Sequence, residues 1–278
     1  MSHKIISTGL SGTIGRHLST TAVALPIRLD EEFQIDQKLL MGSTVLHLAA
    51  IVGEKNVCDD LNRSYQVNVK GAVNLARIVK NSSAKKFVFV STSHVYQVDS
   101  QTIKLDEDSP TLPRGHYPLQ KLLAEELISD VFKDEPSRLL IARVFSVLDQ
   151  GQPPGTLGHS IESLLSDEAR ELAFVDDRRD FLSPKVISKV LIALAESNDC
   201  FGYVNICSGI GTTVQDAVRL LIGEVKFKQV ANRLKSGHSP THEIVGHTKR
   251  LEDLSGLSAS RLFTESVQEW EANIRNSQ

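Results

Sequence analysis

The sequence predicts an α/β fold: a doubly wound parallel sheet with a smaller C-terminal part. Three observations carry that prediction. Buried apolar runs alternate with helical periodicity through the first half of the chain, as strands covered on both faces require. A glycine-rich turn, Thr8-Gly-Leu-Ser-Gly-Thr-Ile-Gly15, follows the first of those runs. The Gly/Pro-rich stretch Asp149–Gly158 then interrupts the pattern.

The elements follow in order. Lys4–Thr8 reads as a short strand ending at Gly9, and Ile14–Leu18 opens a helix. Ala22–Ile27 is a second strand, with Pro26 near its end. Thr44–Ala50 is a third, buried strand. Residues Ser64–Lys80 are helical, because Val67, Gly71, Leu75 and Ile78 share one face. Lys86–Ser91 is β-branched and aromatic, which suits a buried strand. Tyr117–Phe132 is a helix with Pro118 in its first turn, where a missing N–H costs nothing. Ser137–Val144 is another buried strand. Beyond the Gly/Pro loop, Ile161–Glu171 and Lys185–Ser197 read as helices, and Leu172–Val175 and Gly202–Ile206 as strands. These assign residues 1–148 to a nucleotide-binding domain to which 180–207 return. Residues 149–179 and 208–278 form the second part.

Composition bounds the function. The 278 residues carry a formal net charge of −3, so the basic footprint of a nucleic-acid binder is missing. Three cysteines, at 58, 200 and 207, are odd in number and far apart. They provide neither a disulfide framework nor zinc-ligand spacing, so no metal is expected and a reducing, cytoplasmic setting is. The apolar stretch near the N-terminus is too short for a secretory signal. Val45–Gly53, the most apolar run, is too short to span a bilayer.

Gly9, Gly12 and Gly15 have the G-x-x-G-x-x-G spacing of a phosphate-binding turn. The first permits the tight turn, the second lets backbone approach a pyrophosphate, and the third lets helix and strand pack closely. A helix starting there would present free N–H groups to the phosphates. Ordinary turn chemistry is the alternative. Tyr117 and Lys121 stand one helical turn apart, on one face. An ammonium beside a phenol favours the phenolate, so this pair is expected to give a tyrosine that exchanges protons with an alcohol or ketone oxygen. Ser91-Thr92-Ser93-His94 places hydroxyls at a strand's C-terminal end, where open α/β sheets carry their sites.

Taken in order, Thr8–Gly15, His47-Leu-Ala-Ala50, Asn68-Val-x-Gly71, Phe87–Tyr96, Tyr117-x-x-x-Lys121, Arg179-Asp-Phe181 and Val204–Gly209 resemble the extended short-chain dehydrogenase/reductase family of nucleotide-sugar epimerases, dehydratases and reductases. The resemblance covers nearly the whole chain. It implies a Rossmann-like sheet binding NAD or NADP, a nucleotide-sugar substrate, and oxidoreduction at the sugar C4 as a 4-ketoreductase or 4-epimerase. Thr92 would hydrogen-bond the reacting oxygen, Tyr117 would be the acid/base, and Lys121 would hold the nicotinamide ribose. Gly9, Gly12, Thr13, Ile14, Gly15, Leu48, Ala49, Ala50 and Asn68 would surround the cofactor. Ser93, His94 and Ser146 would lie near the substrate, and Arg179 would clamp its diphosphate. Such proteins commonly dimerise through two helices, here Ser64–Lys80 and Tyr117–Phe132; a monomer is the alternative.

The departures from the pattern are informative. The stretch from Gly9 to His47 is short, as if one strand–helix step were trimmed. Asp30 would grip an adenosine ribose, whereas Arg28 would accept a 2′-phosphate; the balance leans to NADP. Both could equally be solvated loop residues. Ser93 and His94 occupy the places of the Asp-Glu pair of the 4,6-dehydratases, which argues against water elimination. His94 is either an additional acid/base or a histidine packed at the strand end. Gln120 replaces a small residue before Lys121. A relative acting on a non-sugar carbonyl and a non-catalytic dinucleotide-binding protein remain as other readings.

Overall fold

The computed structural model describes residues 4–98, 104–197, 199–239 and 242–276. In chain order its strands are β1 Lys4–Thr8, β2 Ala22–Ala24, β3 Ser43–His47, β4 Lys86–Thr92, β5 Leu139–Val144, β6 Ser146–Val147, β7 Arg178–Leu182, β8 Gly202–Ile206, β9 Gly211–Thr213 and β10 Glu243–Ile244. The α-helices are α1 Gln37–Leu40, α2 Glu54–Asp59, α3 Leu61–Tyr65, α4 Ala72–Lys80, α5 His116–Val131, α6 Leu157–Leu165, α7 Pro184–Glu196, α8 Val214–Val230, α9 Lys249–Ser255 and α10 Ala259–Asn276. Two compact units result. The first comprises residues 1–95, 113–144 and 188–204; the second comprises 96–112, 145–187 and 205–278. The return to the first unit is thus shorter than the 180–207 read from sequence. Segment 96–112, which carries no compositional signal, joins the second unit.

The first unit is built on a six-stranded parallel sheet in the order β2-β1-β3-β4-β5-β8. Every residue of β3, β4 and β5 is buried, which explains their continuous apolar reading. One face carries Ile6, Val45, Phe87, Phe89 and Ile141 against Ala72, Leu75 and Val79 of α4 and Ala124 and Ile128 of α5. On the sheet, the Thr44 hydroxyl donates to the Ala195 carbonyl (3.0 Å) and the Lys86 ammonium to that of Leu194 (3.3 Å), both in α7. Only the single turn α1 separates β2 from β3, so β2 is the sheet edge and the trimmed step lies here.

Four local expectations are corrected. The helix expected from Ile14 is a single 3-10 turn, Gly15–Leu18, because Ser19-Thr20-Thr21 favours turn over helix and β2 begins at Ala22. The helix over Ser64–Lys80 is interrupted by a π-helical turn, Gln66–Gly71, between α3 and α4. There is no strand at Leu172–Val175: Leu172 makes one bridge to Leu234, and Phe174 turns the chain with φ +58°. The preceding helix runs earlier than expected, from Leu157, because the Thr156 hydroxyl caps it by accepting the His159 N–H.

In the second unit β10, β7 and β6 form a small sheet, with β9 antiparallel on β7. Its core packs Leu148, Ile161, Phe181, Leu221, Phe227 and Trp270 together. The Trp270 indole N–H donates to the Leu148 carbonyl at 2.9 Å, which satisfies its only polar atom. Asp180 of β7 accepts from the Ser208 N–H (2.7 Å) and hydroxyl (2.6 Å) and from the N–H groups of Gly209 and Gly246. That buried carboxylate fastens three separate segments together, although burial pushes its pKa up.

Helix α5 is locked to the sheet by charge as well as by apolar packing. Glu125 is fully buried and meets Arg143 of β5 at 2.7 Å, and the guanidinium stacks 4.5 Å from the Tyr203 ring centroid. Glu125→Gln leaves Arg143 without its counter-charge and is expected to cost about 3 kcal/mol, read from urea unfolding. The pair Glu125→Leu with Arg143→Met is expected to recover most of that loss. Unchanged stability in Glu125→Gln would contradict this account.

Candidate active site

The glycine turn forms where β1 and β3 end side by side. Gly9 has φ +76°, and a Cβ there would lie 2.6 Å from the Ala49 nitrogen, so only glycine fits. A Cβ on Gly15 would fall 2.1 Å from the Gly9 carbonyl oxygen. Gly12 is exposed and its N–H donates to that carbonyl at 3.1 Å. Thr13 and Ile14 are half-buried, and the Ile14 carbonyl accepts from the Ser188 hydroxyl at 2.9 Å. Because only a 3-10 turn follows, the expected helix-dipole contribution to phosphate binding shrinks; backbone packing explains two of the three glycines.

Thr8 and His47, to which sequence patterning assigns no role, pin this turn. The Ala49 N–H donates to the Thr8 hydroxyl oxygen at 3.3 Å, and that hydroxyl lies 2.7 Å from His47 Nδ1. The threonine oxygen has a second lone pair, so the Thr8–His47 bond forms with either imidazole tautomer. Burial, assisted by the Lys121 charge, pulls the His47 pKa down to about 3, so the ring is neutral. Nε2 has no hydrogen-bond partner among the described residues. Leu48, Ala49 and Ala50 follow, half-buried, at the strand end.

Asn68 braces the next loop. Its side chain accepts from the Ile51 N–H (2.8 Å) and donates to the Ile51 carbonyl and to Gln120 Oε1, both at 2.9 Å. Gln120 in turn donates to the Ser64 hydroxyl at 2.9 Å. The glutamine that departs from the family pattern is therefore the link between this brace and α5.

Thr92 closes β4 and accepts from the His94 N–H at 3.3 Å. The hydroxyls of Ser91 and Ser93 are buried and have no partner among the described residues. The His94 side chain is exposed and not packed at the strand end. Helix α5 begins after Gly115 (φ +108°), and the Glu54 carboxylate caps it by accepting from the N–H groups of His116 (2.7 Å) and Tyr117 (3.0 Å). One turn on, Lys121 is 3% exposed; its ammonium donates to the Val90 carbonyl at 2.6 Å and sits 4.0 Å from the Phe89 ring centroid.

The expected depression of the Tyr117 pKa is not found. Burial pushes the phenol up to about 12 and pulls the ammonium down to about 7, with Glu125 opposing the latter. Desolvation disfavours both charged forms. The pair still fits a dinucleotide. Val90 is the one hydrogen-bond partner of Lys121 among the described residues, so two of its three N–H donors remain for ribose hydroxyls.

The ribose candidates are engaged with one another. Arg28 is 68% exposed and pairs with Glu31 (3.1 Å) and Asp30 (3.6 Å), while Arg63 holds Asp30 at 3.2 Å. A cavity of about 510 Å³ opens beside them, lined by Asp30, Tyr65, Lys70, Asn74, Arg77 and Leu127 among others; Thr92, Tyr117 and Lys121 are not in its wall. In the second unit Ser146 lies opposite Phe181. Arg179 donates to Asp177 at 2.9 Å and reaches the Ser239 hydroxyl at 3.5 Å, so its guanidinium is already oriented by a carboxylate.

Residues 23–207 match the sequence profile of the NAD dependent epimerase/dehydratase family, and the chain belongs to that family. It is similar over 99% of both chains, at 25% identity, to a GDP-6-deoxy-D-mannose reductase of Pseudomonas aeruginosa. It is 26% identical, over 91% of each, to a GDP-6-deoxy-D-talose 4-dehydrogenase of Aggregatibacter actinomycetemcomitans. UDP-glucose 4-epimerases, including that of Dictyostelium discoideum, match shorter stretches. Among solved structures, RMD from Pseudomonas aeruginosa complexed with NADPH superposes with a TM-score of 0.73 at 24% identity, covering 97% of this chain and 100% of that one. A UDP-N-acetylglucosamine 4-epimerase from Methanobrevibacter ruminantium gives 0.77 at 21% identity, covering 98% and 99%. Among the described residues no helix is long and apolar enough to cross a membrane.

Burial of Lys121 has a measurable signature. Below about pH 7 folded and unfolded chains both hold the proton, and the full burial penalty applies. Between pH 7 and the ordinary lysine value only the unfolded chain binds it, so stability rises with pH. Relative to Lys121→Met, the wild type is expected to gain roughly 1.4 kcal/mol per pH unit from about pH 7.5 to 9 in urea unfolding. Parallel stability curves would show that the ammonium is not desolvated.

Proposed function

We propose that this chain is an NADP(H)-dependent oxidoreductase that reduces the C4 ketone of a GDP-linked 6-deoxyhexose. The observation that carries the reading is Tyr117, one helical turn before the buried Lys121 on one face of α5, in a chain that carries the Thr92 hydroxyl at the end of β4. Reduction of a ketone needs an acid at that point. The end-to-end likeness to a GDP-6-deoxy-D-mannose reductase supports the same direction, as does likeness to a structure holding NADPH. A 4-epimerase is the second reading, favoured by the UDP-sugar 4-epimerases among the relatives.

Bound NADPH supplies a hydride to the sugar C4. Thr92 and Tyr117 hold the ketone oxygen by hydrogen bonds. As the C4–O4 π pair moves onto oxygen, Tyr117 gives O4 its proton, and the alcohol forms. The Lys121 ammonium stabilises the phenolate left behind until solvent returns the proton. Gly9, Gly12 and the half-buried Leu48–Ala50 backbone take the dinucleotide, with Asn68 bracing that loop from behind. Arg28 is our candidate for the 2′-phosphate, released from Asp30 and Glu31 on binding. Arg179, pre-oriented by Asp177, is assigned to the substrate diphosphate, and Ser93, His94 and Ser146 to the sugar. All three cysteines are free thiols, in keeping with a cytoplasmic setting.

A homodimer completes the proposal. Leu119, Leu123 and Leu127 form an exposed apolar stripe along α5, and Leu61 and Tyr65 of α3 are exposed too. A second copy presenting the same stripe buries both.

Tyr117→Phe is expected to lower turnover of a GDP-4-keto-6-deoxyhexose at least about a hundredfold while NADPH affinity stays within about twofold, because it removes only the proton donor. Near-wild-type turnover would refute the acid assignment. Leu123→Glu is expected to convert a dimer to monomer in sedimentation; an unchanged sedimentation coefficient would place any interface elsewhere.

A further inference from the structure

We propose that Glu54, Cys58 and His116 form a Zn²⁺ site that clasps α2 to the first turn of α5. Cysteine spacing alone does not disclose it, because Glu54 and Cys58 are one turn apart on α2 while His116 stands 62 residues after Glu54. The fold brings one ligand atom of each residue within 4.8 Å of the other two. Cys58 Sγ and Glu54 Oε1 are already 3.5 Å apart. Zn–S near 2.3 Å and Zn–O near 2.0–2.2 Å at a tetrahedral angle set that separation at about 3.5–3.6 Å.

The carboxylate is positioned in advance. Oε1 accepts the His116 N–H and the Cys58 S–H and Oε2 the Tyr117 N–H; loss of the thiol proton on metal binding returns a lone pair on Oε1 to the cation. Gly115 makes this approach feasible, since a Cβ there would lie 2.7 Å from Glu54 Oε2. Thiolate, imidazole and carboxylate together select zinc over calcium or magnesium, whose ligands are all oxygen. All three side chains are exposed, so small rotations bring the imidazole in, and a water takes the fourth position. On binding, the Cys58 thiol passes its proton to solvent as the Zn–S bond forms. The cation then ties the His116 side chain to α2 one residue before Tyr117. The binding itself stands apart from the reaction assigned above.

Titrating the full-length chain with Co²⁺ tests the site, because thiolate ligation gives a near-ultraviolet charge-transfer band. One equivalent is expected to saturate that band, and Zn²⁺ to bleach it. Cys58→Ser should abolish the band, and His116→Gln should weaken Zn²⁺ binding about tenfold or more. Cys200 and Cys207 are buried and do not substitute. A wild-type chain without the band, or a Cys58→Ser chain that keeps it, would overturn the proposal.

Discussion

The candidate active site depends on how firmly one helix is held against the sheet. Helix α5 carries Tyr117 and Lys121, and the buried Glu125–Arg143 pair fixes its next turn to β5. An ion pair without water tolerates little displacement, because separation exposes two charges to an apolar interior. The Gln120–Asn68–Ser64 network holds the same helix from the other side, and Glu54 caps its start. Position along α5 is thus over-determined at three places within four turns. A proton donor that must meet one substrate oxygen needs such rigidity.

The same tight packing sets the electrostatics. Lys121 lies over Phe89 with a single backbone carbonyl as partner, so its charge is expensive until a ligand supplies more oxygen. His47, whose ring stacks 5.8 Å from that of Phe89 on the adjacent strand, is held neutral for the same reason. Site and core therefore compete: what makes the sheet stable makes the ammonium reluctant. In the function proposed above, the ribose hydroxyls of a bound dinucleotide resolve that conflict by restoring hydrogen bonds lost to burial.

Much of this was legible in the sequence. The alternation of buried strands with helices and the Tyr–Lys helix follow from apolar periodicity and spacing, and the trimmed step before His47 from the family resemblance. The failures have local physical causes. The helix after Gly15 shrinks to one turn because the next strand starts too soon. Leu172–Val175 looks like a strand by composition, yet Phe174 takes a left-handed conformation there. Long-range side-chain pairings left no periodic trace: Thr8 with His47, Asn68 with Gln120, and Glu54 capping His116 depend on the tertiary fold. Spacing discloses the ammonium one turn from the phenol but not the burial that raises the phenol's pKa.

The central claim is that the chain moves a hydride between NADPH and the sugar C4 while Tyr117 moves the proton. The direct measurement is mass spectrometry of the nucleotide sugar after incubating the protein with a GDP-4-keto-6-deoxyhexose and NADPH deuterated at both nicotinamide C4 positions. The account predicts a GDP-6-deoxyhexose carrying one deuterium, located at C4. Product without deuterium, or NADPH consumed with the sugar unchanged, would contradict it.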